Sequence, residues 1–222
     1  MPSSLSNFEN YIFDLDGTLV NSSADVLESL ALALKESGLP FDPSLLVPTL
    51  IGPPIRDILI NVLLSPASEE ELGNAIQLFR AAYDTNPHAY SYLYEGVSEW
   101  LKTLLQKGKR LFIATNKPAL PTQHLLVQFR LTRFESVLTI DSIEGRRLSK
   151  YHMLEQILTE HQLNRESTLM VGDTCSDMAA AQQAGIASCA VLWGYEANKE
   201  SLKQEASFVL EDANALKKGL LV

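Results

Sequence analysis

The sequence predicts an α/β protein: a parallel sheet with helices on both faces, opened after its first strand by an all-helical insertion. Three observations lead there. From Gly96 onward, short apolar runs with high strand propensity alternate with helical periods, a pattern that builds a parallel sheet covered on both sides. A first such run, Tyr11-Ile12-Phe13, stands alone near the N-terminus. Between the two, the period is helical and no strong strand is visible. The division this implies is a core of residues 1–20 and 94–222 and an insertion of residues 21–93.

The elements follow in order. Tyr11-Ile12-Phe13 reads as a buried strand that stops at the polar turn Asp14-Leu15-Asp16-Gly17-Thr18. From Ser22 the period changes: Val26, Leu27, Leu30, Ala31 and Leu34 share a helix face, and Gly38 supplies a C-terminal stop. A connection rich in proline (Pro40, Pro43, Pro48, Pro53, Pro54) comes next. Ser68-Glu69-Glu70-Glu71 then forms a capping box before the apolar face Leu72, Ala75, Ile76 and Phe79. Val97, Trp100, Leu101, Leu104 and Leu105 mark a helix ended by Gly108, and Arg110 to Ala114 reads as a strand. Beyond it the sequence predicts a helix over about 119–129 and a strand over 136–140. A helix over 151–163, a strand over 168–172, a helix over 177–184 and a strand over 187–192 follow, with a last short strand at Phe208-Val209-Leu210.

Composition narrows the function. The chain has 222 residues, 46% of them hydrophobic and 20% charged, which describes an ordinary globular protein and not a disordered one. Its 18 basic against 27 acidic residues give a net charge of −9, which argues against a nucleic-acid partner or an anionic membrane surface. Any phosphorylated ligand must therefore meet local positive charge. Cys175 and Cys189 fit neither a disulfide framework nor a CxxC metal pattern and suggest a reduced compartment. No apolar run approaches the ~18 residues of a membrane span, and the first residues carry no signal-peptide pattern, so a cytoplasmic location is expected.

In open parallel sheets, ligands bind beyond the carboxyl ends of the strands. That rule selects Asp14 and Asp16, Thr115 and Asn116, Asp141, and Asp173, which are far apart in sequence but gathered at one edge by the fold. Two carboxylates at the spacing of Asp14 and Asp16 need a counter-ion or a shared proton, and a hard cation such as Mg2+ suits oxygen ligands of this kind. Gly17 allows a tight turn whose amides can cradle an anion. Taken singly, several of these residues read otherwise. Asp177 is suited to cap the helix after Asp173, and Lys150, preceding an amphipathic helix, looks like a solvated lysine.

Together the residues resemble the haloacid dehalogenase superfamily of phosphohydrolases, whose four motifs occur here in order. They are Asp14-Leu15-Asp16-Gly17-Thr18, then Thr115-Asn116, then Lys150, and Gly172-Asp173 with Asp177, within a likeness covering about residues 8 to 195. The resemblance implies a Rossmann-like core with the first motif on its central strand, and identifies the insertion with that superfamily's small helical cap. It implies a Mg2+-dependent phosphatase in which Asp14 is the nucleophile and Asp16 the general acid and base. Mg2+ would be held by Asp14, the backbone carbonyl of Asp16 and Asp173. Thr115, Asn116 and Lys150 would hold the phosphate, and Asp177 would bind a metal-bound water or orient Lys150. Tyr151 stands where many relatives have proline, so Arg146 or Arg147 remains an alternative to Lys150.

Within the superfamily, Ile51-Gly52-Pro53-Pro54-Ile55 is similar to a loop found in some members of the phosphoglycolate-phosphatase-like group. There Gly52 and Arg56 would reach the substrate from a stiff loop tip, with a surface role for Arg56 as the alternative. The expected substrate is a small phosphorylated metabolite, turned over by a monomer or homodimer. A 5′-nucleotidase, a pyrophosphatase and a catalytically silent phosphate-ligand-binding member are the alternatives.

Overall fold

A computed structural model describes residues 4–85 and 88–213, so the stretches 1–3 and 214–222 assigned to the core lie outside the described residues. The chain divides into two compact units, residues 1–21 with 93–222, and residues 22–92.

The first unit is built on a six-stranded sheet of β1 (Asn10–Phe13), β2 (Arg110–Thr115), β3 (Ser136–Thr139), β4 (Thr168–Gly172), β5 (Ala187–Val191) and β6 (Phe208–Leu210). The strand order is β3-β2-β1-β4-β5-β6, and every pairing is parallel. This is the Rossmann order, with β1 flanked by β2 and β4, where successive strands run outward in opposite directions. Alternation along the strands divides the core. Tyr11, Phe13, Leu111, Ile113, Leu169 and Val171 face one side, with Trp100 and Leu104 of α4 (Val97–Gln106) and Leu125 of α5 (Ala119–Gln128). Ile12, Phe112, Ala114 and Met170 face the other. There they meet Met153, Leu154 and Ile157 of α6 (Lys150–Glu160) and Ala180 and Ala181 of α7 (Cys175–Gln183). Tyr11, Ile12 and Phe13 are wholly buried, and at roughly 1.5–3 kcal/mol per large apolar side chain they anchor β1 firmly. Whatever follows Phe13 inherits that fixed position.

Several boundaries differ from expectation, each for a local reason. Helix α7 begins at Cys175, not at 177, because Thr174 is its N-cap: its hydroxyl accepts from the Asp177 N–H while the Asp177 carboxylate accepts from the Thr174 N–H. Asp177 is thus the third residue of the helix and not its cap. Helix α6 begins at Lys150 because Ser149 caps it. Helix α8 (Lys199–Glu205), capped by Asn198, is too short to show a period in the sequence.

The second unit contains α1 (Ser23–Ser37), α2 (Ile55–Val62) and α3 (Glu69–Thr85). Gly38 ends α1 with a φ of +72°, and Ser68 and Glu71 exchange the hydrogen bonds of the capping box ahead of α3. Pro54 immediately precedes α2, so Arg56 lies in the first turn of a helix and not on a loop tip. Buried Asp25 accepts from the Ser91 hydroxyl at 2.6 Å and from the Tyr90 N–H at 3.3 Å, which ties the start of α1 to the segment after α3. Among the described residues of this unit, the departures from helix and loop are the isolated Phe41–Leu63 bridge and Tyr92 of the two-residue strand Tyr92–Leu93. Among the described residues, no helix is long and apolar enough to cross a membrane.

Candidate active site

Parallel strands end at the same edge, and the ends of β1, β2 and β4 assemble the site. Asp14 follows β1 directly, its N–H donating to Val171 O at 2.9 Å, so the turn starts from the deepest strand of the sheet. Asp173 follows β4 and is fully buried; Asp177 stands on the first turn of α7. Carboxylate oxygens of Asp14, Asp173 and Asp177 all lie within 4.8 Å of one another.

One ammonium group answers this acidic group directly. Lys150 Nζ donates to Asp14 Oδ1 at 2.6 Å, to Ala114 O at 2.8 Å and approaches Asp177 Oδ1 at 2.9 Å. Its three protons thus have three acceptors. A solvated lysine is excluded, since Lys150 is only 5% exposed. Arg146 and Arg147 stand in none of these contacts. Burial pulls the Lys150 pKa down, but the neighbouring carboxylates of Asp14 and Asp177 outweigh it and hold the group above its ordinary value.

The carboxylates respond oppositely. Burial pushes Asp14 up to about 6 although the Lys150 charge pulls it down, and the Asp177 charge adds to the rise. Asp173 is raised well above the ordinary carboxylate range by burial, then by the charges of Asp14 and Asp177. The Tyr195 N–H at 2.7 Å and the Thr18 hydroxyl at 3.1 Å, both neutral donors, only moderate this. Three buried acids against one ammonium leave a surplus of negative charge surrounded by oxygen donors. That surplus fits a hard divalent cation.

Two glycines let the chain approach Asp173. Gly17 turns with φ +82°, and a Cβ there would fall 2.2 Å from Asp173 Oδ2. At Gly194, beyond β5, a Cβ would fall 2.2 Å from Asp173 Cβ. Gly194→Ala must displace Asp173, and it is expected to lower the Tm; an unchanged melting temperature in calorimetry would contradict the packing argument.

The Gly17 N–H donates to Val20 O, and the Thr18 and Leu19 N–H groups donate to Leu15 O, so closing the turn occupies these three amides. Thr115, 1% exposed, accepts from the Lys117 N–H at 3.2 Å. Asn116 follows it at the β2 end. Asp141 stands outside the buried acidic group. It accepts from the Ala119 N–H at 2.9 Å and the Thr139 hydroxyl at 2.8 Å, joining the β3 end to the start of α5. Arg56 pairs with Glu69 of α3 within the helical unit, and Gly52 lies in the segment before α2.

Lys117, Gly194 and Tyr195 carry no signal in the sequence analysis, and Thr18 appears there only as the last residue of the first motif. Lys117 Nζ donates to both oxygens of Asp16 at 3.1 Å and is buried. The strand-end rule, extended two residues past β2 and three past β5, reaches both Lys117 and Gly194.

The family model of haloacid dehalogenase-like hydrolases matches residues 11–191. The chain is 34% identical over 218 residues to a phosphoglycolate phosphatase of Vibrio vulnificus, covering 95% of each. It is 33% identical over 184 residues to the tyrosine-protein kinase PtkA of Mycobacterium tuberculosis, covering 83% of this chain but only 62% of that protein. In structure it is similar to a protein of Haemophilus somnus described as a predicted phosphoglycolate phosphatase. The TM-score is 0.83 at 29% identity, over 96% of this chain and 97% of the other. With most of its length matched by the family model and its acidic strand ends in register, the chain belongs to the haloacid dehalogenase-like hydrolases.

Proposed function

We propose that the protein is a Mg2+-dependent phosphatase of small phosphorylated metabolites, working through a phosphoryl group carried on Asp14. The observation that supports it most strongly is the Asp14 carboxylate, fixed at the end of β1 by Lys150 beside two further buried acids. Asp14 attacks phosphorus while Asp16 gives its proton to the leaving oxygen. A water then displaces Asp14 from phosphorus and returns a proton to Asp16. Lys150 offsets the charge of the approaching anion, with Thr115 and Asn116 bonding its oxygens. Asp177 orients Lys150, on which one of its oxygens already rests. Asp14, Asp173 and the Asp16 carbonyl are the groups that would hold Mg2+, which supplies charge neutralisation when bound. Asp16→Asn is expected to lower kcat about 10²–10⁴-fold, the usual range for a positioned acid–base group, with substrate still bound. Steady-state kinetics with and without Mg2+ test both statements.

The likeness to the Vibrio vulnificus enzyme along nearly the whole chain favours phosphoglycolate as substrate. Rates on 2-phosphoglycolate, nucleoside 5′-monophosphates and pyrophosphate separate this from the nucleotidase and pyrophosphatase alternatives. Gly52 and Arg56 belong to the sizeable helical insertion beyond the core, and we assign them to leaving-group recognition. Arg56→Ala should raise KM for an anionic substrate more than it lowers kcat, with little change for an aryl phosphate. No effect on either would restrict Arg56 to its pair with Glu69. The Mycobacterium tuberculosis relative favours a second reading, transfer of the phosphoryl group to a tyrosine hydroxyl. ATP-driven labelling of a tyrosine peptide distinguishes it from hydrolysis. The free thiols of Cys175 and Cys189 support a cytoplasmic setting.

A further inference from the structure

The end of β2 delivers a second buried ammonium to the site. Lys117 stands two residues past Thr115, and its N–H donation to the Thr115 hydroxyl folds the chain back over the strand end. Its Nζ lies 3.1 Å from Asp16 Oδ1 and 3.1 Å from Asp16 Oδ2. The Lys117 side chain is 3% exposed and that of Asp16 is 14% exposed. The two first-motif carboxylates are thus served separately, Asp14 by Lys150 and Asp16 by Lys117.

We propose that Lys117 is a positioning residue for Asp16, holding its carboxyl where it can exchange a proton with the leaving oxygen. The proposal rests on the phosphatase reading and deepens it. An aspartate on a turn has two side-chain torsions, and proton transfer requires a heavy-atom separation of about 2.6–3.2 Å. A cation equidistant from both oxygens restrains both torsions together. Stability alone gives no reason to keep such a pair, because desolvating an ammonium offsets most of its attraction to a carboxylate.

The step concerned is the first half-reaction. A bond forms from Asp14 Oδ to phosphorus, the bond from phosphorus to the leaving oxygen breaks, and the Asp16 proton passes to that oxygen. In the second half, water attacks phosphorus, gives its proton to Asp16, and the bond to Asp14 breaks. The need for the Asp16 proton grows as the leaving group becomes more basic. Loss of positioning must therefore show most on poor leaving groups, whereas loss of a fold contact or of a phosphate ligand affects all esters alike.

The test measures kcat/KM, which reports steps up to departure of the alcohol, on p-nitrophenyl phosphate, phenyl phosphate and ethyl phosphate with Mg2+. Wild type, Lys117→Met, Lys117→Arg, Asp16→Asn and the double variants are compared. For Lys117→Met the expected loss rises from a few-fold on the nitrophenyl ester to about 10²-fold on the alkyl ester. Lys117→Arg should recover most of it, and in the Asp16→Asn background Lys117→Met should cost no more than a few-fold. An equal loss across the series, or the full loss persisting without Asp16, would overturn the proposal. Should Lys117→Met fail to fold, Lys117→Arg with and without Asp16→Asn makes the same comparison. Wild type inactive on every ester would instead overturn the phosphatase reading, an outcome that no Lys117 variant is needed to see.

Discussion

Replacing Asp14 with asparagine is expected to stop turnover, with a loss of at least about 10⁴-fold in kcat, because an amide is no nucleophile and no other carboxylate can take its place at the end of β1. Asp173 is bonded to Thr18 and Tyr195, Asp177 to the hydroxyl and N–H of Thr174 and to Lys150, and Asp16 to Lys117. Each is held away from Asp14's role by its own partners. The substitution should leave the fold intact, since the carbonyl of the new side chain can still accept from Lys150. Turnover of a chromogenic phosphate ester, on protein shown by mass spectrometry to be free of deamidation, provides the check. Near wild-type rates would mean that phosphate does not pass through Asp14.

Asp173→Asn should separate metal binding from stability. In the metal-free protein Asp173 is a buried carboxyl with a raised pKa, caused first by burial and then by the Asp14 and Asp177 charges. The folded state therefore binds this proton more tightly than the unfolded state. Such a group costs stability above the unfolded pKa, and the cost grows as pH rises toward the folded value. Asparagine removes the charge while keeping an oxygen for the Tyr195 N–H and a donor for the Thr18 hydroxyl. Its metal-free Tm at neutral pH should rise, by about 2–4 °C for each kcal/mol relieved in a chain of this size. Wild type should gain stability with Mg2+, by about 2.7 kcal/mol at a hundredfold excess over Kd, and the variant should gain almost none. Activity should fall with it. A variant that is destabilised without metal, or that keeps the full Mg2+ shift, would show that Asp173 is not a carboxylate strained by its neighbours and relieved by a cation.

Much of this site was legible in the sequence because strand ends are. A buried apolar run that stops at a polar residue fixes where that residue sits, and Asp14, Thr115 and Asp173 each follow such a run. What the sequence concealed was side-chain direction. Lys150 opens an amphipathic helix, where a lysine ordinarily snorkels to water, and only the β2 carbonyl of Ala114 and the two acids explain its inward course. Asp177 satisfied a capping pattern, but Thr174 is the cap; Asp177 is the third-residue partner in the capping box and keeps one oxygen for Lys150. Lys117 stayed hidden because its partner, Asp16, is remote in sequence. Gly194 stayed hidden because close approach to Asp173 leaves no periodic trace. Arg56 moved from loop to helix because two prolines suggest a stiff turn, yet proline is equally at home just ahead of a helix.

The central claim is that the phosphoryl group is carried on Asp14 between two displacements. The stereochemical course at phosphorus tests it most directly, using an ester chiral at phosphorus through sulfur and oxygen isotopes and hydrolysed in isotopically labelled water with Mg2+. Two successive in-line displacements, onto Asp14 and then onto water, predict net retention of configuration. Net inversion would mean that water attacks the substrate directly, and would contradict the account whatever the Asp14 variants do.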